Sequence, residues 1–237
     1  MKIEIWSDVV CPFCYIGKRK LEKALAKFPF RDQVSIEWKS FQLNPEQKTN
    51  PNISTIEHLS QSKGWSLEQT RQISGQVSDM AKEQGLHFDF ENAVVANTKN
   101  AHRLIHLAKS LGKGGEMKER LLSAYFSEGK NVDDESTLIQ LAVEVGIDGE
   151  EVKALLQSSR YEDAVDQDIY ESRLIGVKGV PFFVLDRKLG ISGAQPDEVF
   201  DQTIEKAWKE FQKENGIELI SGSSSDSCDV DDPNCIS

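Results

Sequence analysis

Cys11-Pro12-Phe13-Cys14 falls where the hydrophobic pattern of the chain switches period. Before it, Lys2-Ile3-Glu4-Ile5-Trp6-Ser7 alternates as a strand does, with Ile3 and Ile5 on one face. After it, Ile16, Leu21, Leu25 and Phe28 recur at helical spacing across Phe13 to Phe28. Pro12 suits the first turn of that helix, where its missing N–H is not needed. Residues 33–41 alternate again, with Val34, Ile36, Trp38 and Phe41 directed inward. A strand–helix–strand with a crossover of this length predicts two parallel strands.

The junction matters more than the tetrapeptide. A helix start offers unpaired backbone N–H groups and the positive end of the macrodipole. A thiol there ionises more easily, to roughly 3.5–7.5 from about 8.5, and the thiolate is the nucleophile of disulfide exchange. Two intervening residues put the second sulfur one helical turn away. The expectation is an exposed, attacking thiol at Cys11 and a core-facing, resolving thiol at Cys14. The competing reading is half of a zinc site completed by Cys228 and Cys235. Against zinc, the six residues between that last pair exceed the usual ligand spacing, and zinc cysteines usually sit on knuckle turns. No metal is therefore expected.

From Ser54 to about Ile175 the pattern is almost entirely helical. Ser54 with Glu57 and Ser66 with Gln69 read as capping boxes, and Gly64, Gly85, Gly112 and Gly146 as helix stops. Ala101, Leu104, Ile105, Ala108 and Leu111 form one apolar stripe. Asp134 caps a helix through Leu138, Leu141 and Val145. The short apolar run Phe182-Phe183-Val184-Leu185 is a buried strand, followed across Arg187-Lys188 by another from Leu189 to Gly193. Pro196 opens a last helix with Val199, Phe200, Ile204, Ala207, Trp208 and Phe211 inward. The implied organisation is a sheet domain in two parts, 1–50 and 159–215, interrupted by an all-helical insertion, 51–158, and followed by a tail, 216–237.

A net charge of −11 argues against nucleic acid or an anionic membrane as partner, since a basic footprint is missing. No apolar run approaches the roughly 18–20 residues of a spanning helix, and the N-terminus lacks the pattern of a secretory signal, so a cytoplasmic location is expected. In that compartment four cysteines point to catalysis, redox sensing or metal rather than stapling. Cys228 and Cys235 sit on a Ser/Gly-rich tether, as an auxiliary redox pair or as a solvent-exposed pair with no role. The neighbouring aspartates raise their thiol pKa values. His102 and His106 have helical metal-ligand spacing but lack the Glu or third His such a motif needs. The tryptophans read as packing. Gly179-Val180-Pro181 precedes the buried strand, where Pro181 is either an ordinary trans residue at a strand start or a cis one.

Taken together, Trp6-Ser7-Asp8-Val9-Val10-Cys11-Pro12-Phe13-Cys14-Tyr15-Ile16-Gly17, Gly176-Val177-Lys178-Gly179-Val180-Pro181-Phe182-Phe183 and Ser192-Gly193-Ala194-Gln195-Pro196 resemble the DsbA superfamily. Asn97-Thr98, Ala101-His102-Arg103 and Glu128-Gly129-Lys130 narrow the likeness to its FrnE-like cytoplasmic branch. The resemblance covers about residues 2–212. It implies an α/β, thioredoxin-like fold with a large inserted all-helical subdomain. It also implies a redox pair at Cys11 and Cys14 in an active-site loop with Pro12 and Phe13, and a cis Pro181 facing them. Val180 would offer its backbone to substrate, and His102 would line the cleft opposite Cys11. The implied activity is thiol–disulfide exchange with protein or low-molecular-weight thiol partners, drawing on an unidentified reductant. No cofactor beyond the redox-active disulfide is implied, with glutathione as a candidate co-substrate. Related 2-hydroxychromene-2-carboxylate isomerases and kappa-class glutathione transferases carry Ser in place of the nucleophilic Cys, so a glutathione-dependent isomerase or transferase is the alternative. Phe13, which cannot donate a hydrogen bond or carry charge, predicts a milder redox potential than the periplasmic oxidant with His between its cysteines.

Overall fold

The structure, a computed structural model, describes residues 1–215. The opening β1 (Lys2–Ser7), α1 (Pro12–Lys27) and β2 (Ser35–Ser40) form the anticipated unit, with β1 and β2 parallel from Lys2↔Ser35 to Ser7↔Ser40. Later in the chain, β5 (Phe182–Leu185) pairs antiparallel with β1, and β6 (Leu189–Ser192) antiparallel with β5, giving the order β2-β1-β5-β6. The β5–β6 turn places Asp186 and Arg187 at φ 51° and 58°, the left-handed central pair of a tight turn closed by Lys188 N–H donating to Leu185 O at 3.1 Å. The last helix, here α9 (Asp197–Asn215), lies beside α1 on one face of the sheet.

Between the two parts of the sheet run α2 (Thr55–Lys63), α3 (Leu67–Lys82), α4 (Lys99–Ser110), α5 (Gly114–Phe126), α6 (Glu135–Glu144), α7 (Gly149–Leu156) and α8 (Glu162–Leu174). Ser54 and Glu57 form the full reciprocal capping box of α2, and Gly64 ends it in the left-handed conformation. Ser66 and Asp134 cap their helices from the side chain. The stretch is not all-helical. β3 (Asn50–Ser54) and β4 (Val94–Val95) make a small antiparallel ladder at its root. Asn50-Pro51-Asn52 carries little strand propensity, so it pairs through tertiary context rather than pattern.

Ile36 departs from expectation. It alternates in phase with Trp38, yet it is 42% exposed while Trp38 is buried. β2 is an edge strand, and only its C-terminal half is covered, by α5 and α8. That cover is tied down by Asp168 of α8. Its carboxylate accepts the Ser40 N–H at 2.8 Å and lies 3.1 Å from both His106 Nε2 and Lys39 Nζ. Its backbone carbonyl accepts Trp6 Nε1–H at 2.8 Å. Burial would raise the Asp168 pKa, but His106, Ser40 and Lys39 hold it down at about 2.

The other face of the sheet meets α1 so closely that one position must be glycine. A Cβ on Gly17 would lie 3.0 Å from Pro181 Cγ and 3.1 Å from Phe183 Cζ. Gly17→Ala is expected to cost about 1–3 kcal/mol through overpacking, read as a lower urea midpoint at unchanged slope. Gly75→Ala supplies the contrast. Nothing lies within 4 Å of its Cβ position in the α3 interior, so stability should rise by about 0.5–1 kcal/mol.

Candidate active site

The end of β1 and the start of α1 place Cys11 and Cys14 on adjacent turns, with Cys14 N–H donating to Cys11 O at 3.0 Å. Both are free thiols. Cys11 is the N-cap residue of α1, yet its side chain makes no capping hydrogen bond to the helix. Its Sγ instead donates to Val180 O at 3.4 Å. Val180 precedes Pro181 through a cis peptide bond, and Gly193 N–H closes on Pro181 O at 2.8 Å. Cys11 and Cys14, Val180 and Pro181, far apart in sequence, therefore meet in one place. Phe13 stands at the mouth, 38% exposed.

One expectation is corrected here. Cys11 is not exposed: at 3% it is nearly as buried as Cys14 at 1%, because the Val180–Pro181 loop lies over the helix start. The charge also lies differently. The hydrogen bond to Cys14, burial and the Cys14 charge push the Cys11 thiol well above its ordinary value. Burial also raises Cys14, but the hydrogen bond from Cys11, the Lys118 charge, the Ser7 side chain and the Asp8 backbone outweigh it and bring Cys14 down. The two thiols are thus coupled, and the Lys118 charge favours the inner sulfur as the place for negative charge.

Three polar residues beneath the sulfurs escaped sequence reasoning. Asp8 is fully buried; its carboxylate accepts the Leu43 N–H at 2.8 Å and lies 3.3 Å from His102 Nε2. Burial raises the Asp8 pKa, while His102, the Leu43 amide and Lys118 more than reverse it. Burial keeps His102 below its ordinary pKa despite Asp8. His102 does not line the open cleft; it reaches the site only through Asp8. Ser7 is buried at the end of β1, and its carbonyl accepts Lys118 Nζ at 3.2 Å. The available signal for Lys118 was its place on α5 in line with Leu122 and Tyr125, a charge on an apolar stripe.

Other assignments come apart. His102 and His106 each face a separate aspartate, Asp8 and Asp168, and no cluster of metal-ligating side chains occurs among the described residues. Cys228 and Cys235 lie outside the described residues. Between the β1–α1 junction and α2 opens a cavity of about 510 Å³ whose walls include Asp8, Val10, Leu43, His58, Lys63 and Tyr125 but neither cysteine. No helix among the described residues is long and apolar enough to cross a membrane.

Residues 2–205 match the model of the DSBA-like thioredoxin domain. The chain belongs to this family. Within the DSBA-like family it is 31% identical over 206 residues to the uncharacterized protein YwbO of Bacillus subtilis, covering 85% of this chain and 94% of that one. The probable DsbA oxidoreductase SCO1869 of Streptomyces coelicolor superposes with a TM-score of 0.85 at 38% identity, over 97% of this chain and 99% of that one. The cytosolic disulfide reductase DsbM of Pseudomonas aeruginosa, in a structure with GSH, shares the fold at a TM-score of 0.61 and 19% identity, over 88% of this chain and all of that one. The thioredoxin-like architecture is thus a DSBA-like one, and the family is one of oxidoreductases.

Proposed function

We propose that this DSBA-like protein is a thiol–disulfide oxidoreductase in which Cys11 exchanges with substrate and Cys14 resolves the mixed disulfide. The observation that carries the reading is the pair of buried free thiols at a strand–helix junction, with the Val180 carbonyl 3.4 Å from the outer sulfur and the Lys118 charge behind the inner one. Cys11 is the sulfur beside Val180 and Phe13, where an extended substrate segment would lie. As a disulfide approaches, the proton of Cys11 passes to Cys14 along their hydrogen bond, and the outer sulfur attacks as thiolate.

The low-molecular-weight partner of this reading is a thiol such as glutathione, for which the 510 Å³ cavity lined by Asp8 and Val10, just before Cys11 in the chain, has adequate volume. Likeness to the FrnE-like branch and to cytosolic DsbM supports a cytoplasmic setting. Insulin disulfides supplied with dithiothreitol or glutathione should be reduced at catalytic protein concentrations. Absence of turnover with every donor would overturn the reading. A glutathione-dependent isomerase, by contrast, would keep its full activity in Cys14→Ser.

A further inference from the structure

One buried cation has so far been given only an electrostatic part in the exchange. Lys118 belongs to α5 in the insertion, yet its ammonium sits under the β1–α1 junction at 1% exposure, with the Trp38 ring 5.7 Å away. Its hydrogen bond goes to a carbonyl, Ser7 O, rather than to a carboxylate. The charged and titratable groups facing it are Cys14, Asp8 and Cys11 from the β1–α1 junction and Lys18 from α1, with His102 of α4 behind Asp8. A buried ammonium without a bonded carboxylate is costly unless its charge changes in step with its neighbours.

We propose that Lys118 is the proton-accepting residue for Cys14, so that the inserted helices serve the second half of disulfide exchange. The proposal rests on the oxidoreductase reading above. Burial draws the Lys118 pKa down to about 8, with the Cys14, Asp8 and Cys11 charges resisting. Once Cys11 is bonded to a substrate sulfur and Cys14 carries its proton, the two thiolate contributions vanish, and the Lys118 ammonium gives a proton to solvent and becomes the neutral amine. The amine then takes the Cys14 proton. The Cys14 thiolate attacks Cys11 Sγ, the Cys11–Cys14 bond forms, and the bond from Cys11 to the substrate sulfur breaks. Its electron pair leaves on the substrate thiolate, which is protonated from solvent. The dithiol has lost two electrons, and the substrate disulfide has become two thiols.

The test uses the full-length chain carrying Cys228→Ser and Cys235→Ser, which serves as the wild type of every comparison, reduced and mixed with excess 5,5′-dithiobis(2-nitrobenzoate); it releases one chromophoric thiolate on attack by Cys11 and a second on resolution by Cys14. Lys118→Met should slow the second release on the order of 10²-fold at pH 7. The deficit should close as hydroxide takes over at high pH. In Lys118→Ala, added methylamine should restore part of the rate, which a purely structural role would not allow. A second release as fast as in the wild type overturns the proposal, as does a deficit equal at every pH and indifferent to methylamine. Should the variants not fold, the wild type decides: its second-phase rate must bend at or below about pH 8, and a profile without that bend overturns the proposal. A wild type showing no two-step release would instead defeat the oxidoreductase reading itself.

Discussion

Cys11→Ser is expected to abolish disulfide turnover, by about a thousandfold or more, because no other described sulfur lies beside the Val180 carbonyl. Cys14→Ser should behave differently. Its remaining thiol still attacks, but nothing displaces the substrate, so the protein accumulates as a mixed disulfide visible by mass. The variant also loses the partner with which Cys11 shares a proton, so the attacking rate should follow the titration of one isolated thiol. Measuring iodoacetamide alkylation of Cys11 by peptide mass against pH checks this. The wild type should give two separated steps, the Cys14 variant one. Turnover that survives Cys11→Ser would mean that the chemistry lies elsewhere.

The largest expected effect on stability lies outside the site. Asp168→Ala removes the acceptor of the Ser40 amide and the carboxylate that both His106 and Lys39 face, inside the packing of α8 on β2. Breaking such a buried network costs about 3–5 kcal/mol. Lys39 keeps Glu171 at 3.1 Å and Glu37 at 3.3 Å, which favours about 3. A loss of that size lowers the melting temperature by on the order of 6–12 °C for a chain of this length. Asp168→Asn, which can still accept from the Ser40 amide, should lose less. The pH dependence has a fixed sign. Folding holds this carboxyl at about 2 against an ordinary 3.8. Its contribution, about 2 kcal/mol, is therefore complete above pH 4 and lost as pH falls toward 2. Acid unfolding of Asp168→Ala should lack that part of the slope, and an unchanged acid profile would refute the assignment.

The parts of the fold legible in sequence were those whose burial follows from local period. β1, α1 and β2 announce themselves because alternate or every third-to-fourth residues are apolar, and Ser54, Ser66 and Asp134 because a cap is a local hydrogen bond. What escaped depends on neighbours distant in the chain. Ile36 has the right period and the wrong surroundings, since nothing covers the start of an edge strand. Asn50–Ser54 has the wrong composition and is ordered by Val94–Val95. The site divides in the same way. A dithiol at a change of period can be read directly, whereas Asp8 looks like a turn residue and Lys118 like one more surface charge. Only the folded chain brings these two beneath the sulfurs, and the direction in which the thiol pair ionises depends on them.

The burial of both thiols bears on survival in an oxidising episode. Peroxide damages cysteines in proportion to their thiolate character and their access to solvent. Here the thiolate character rests on the inner sulfur, and the outer one is roofed by the loop that would greet a substrate. Peroxide oxidation of the reduced protein is therefore expected to be slow beside its exchange with disulfides, a comparison that stopped-flow mixing with each oxidant would make. A roof over the outer sulfur would in that case act as a chemical filter, sparing the dithiol between encounters.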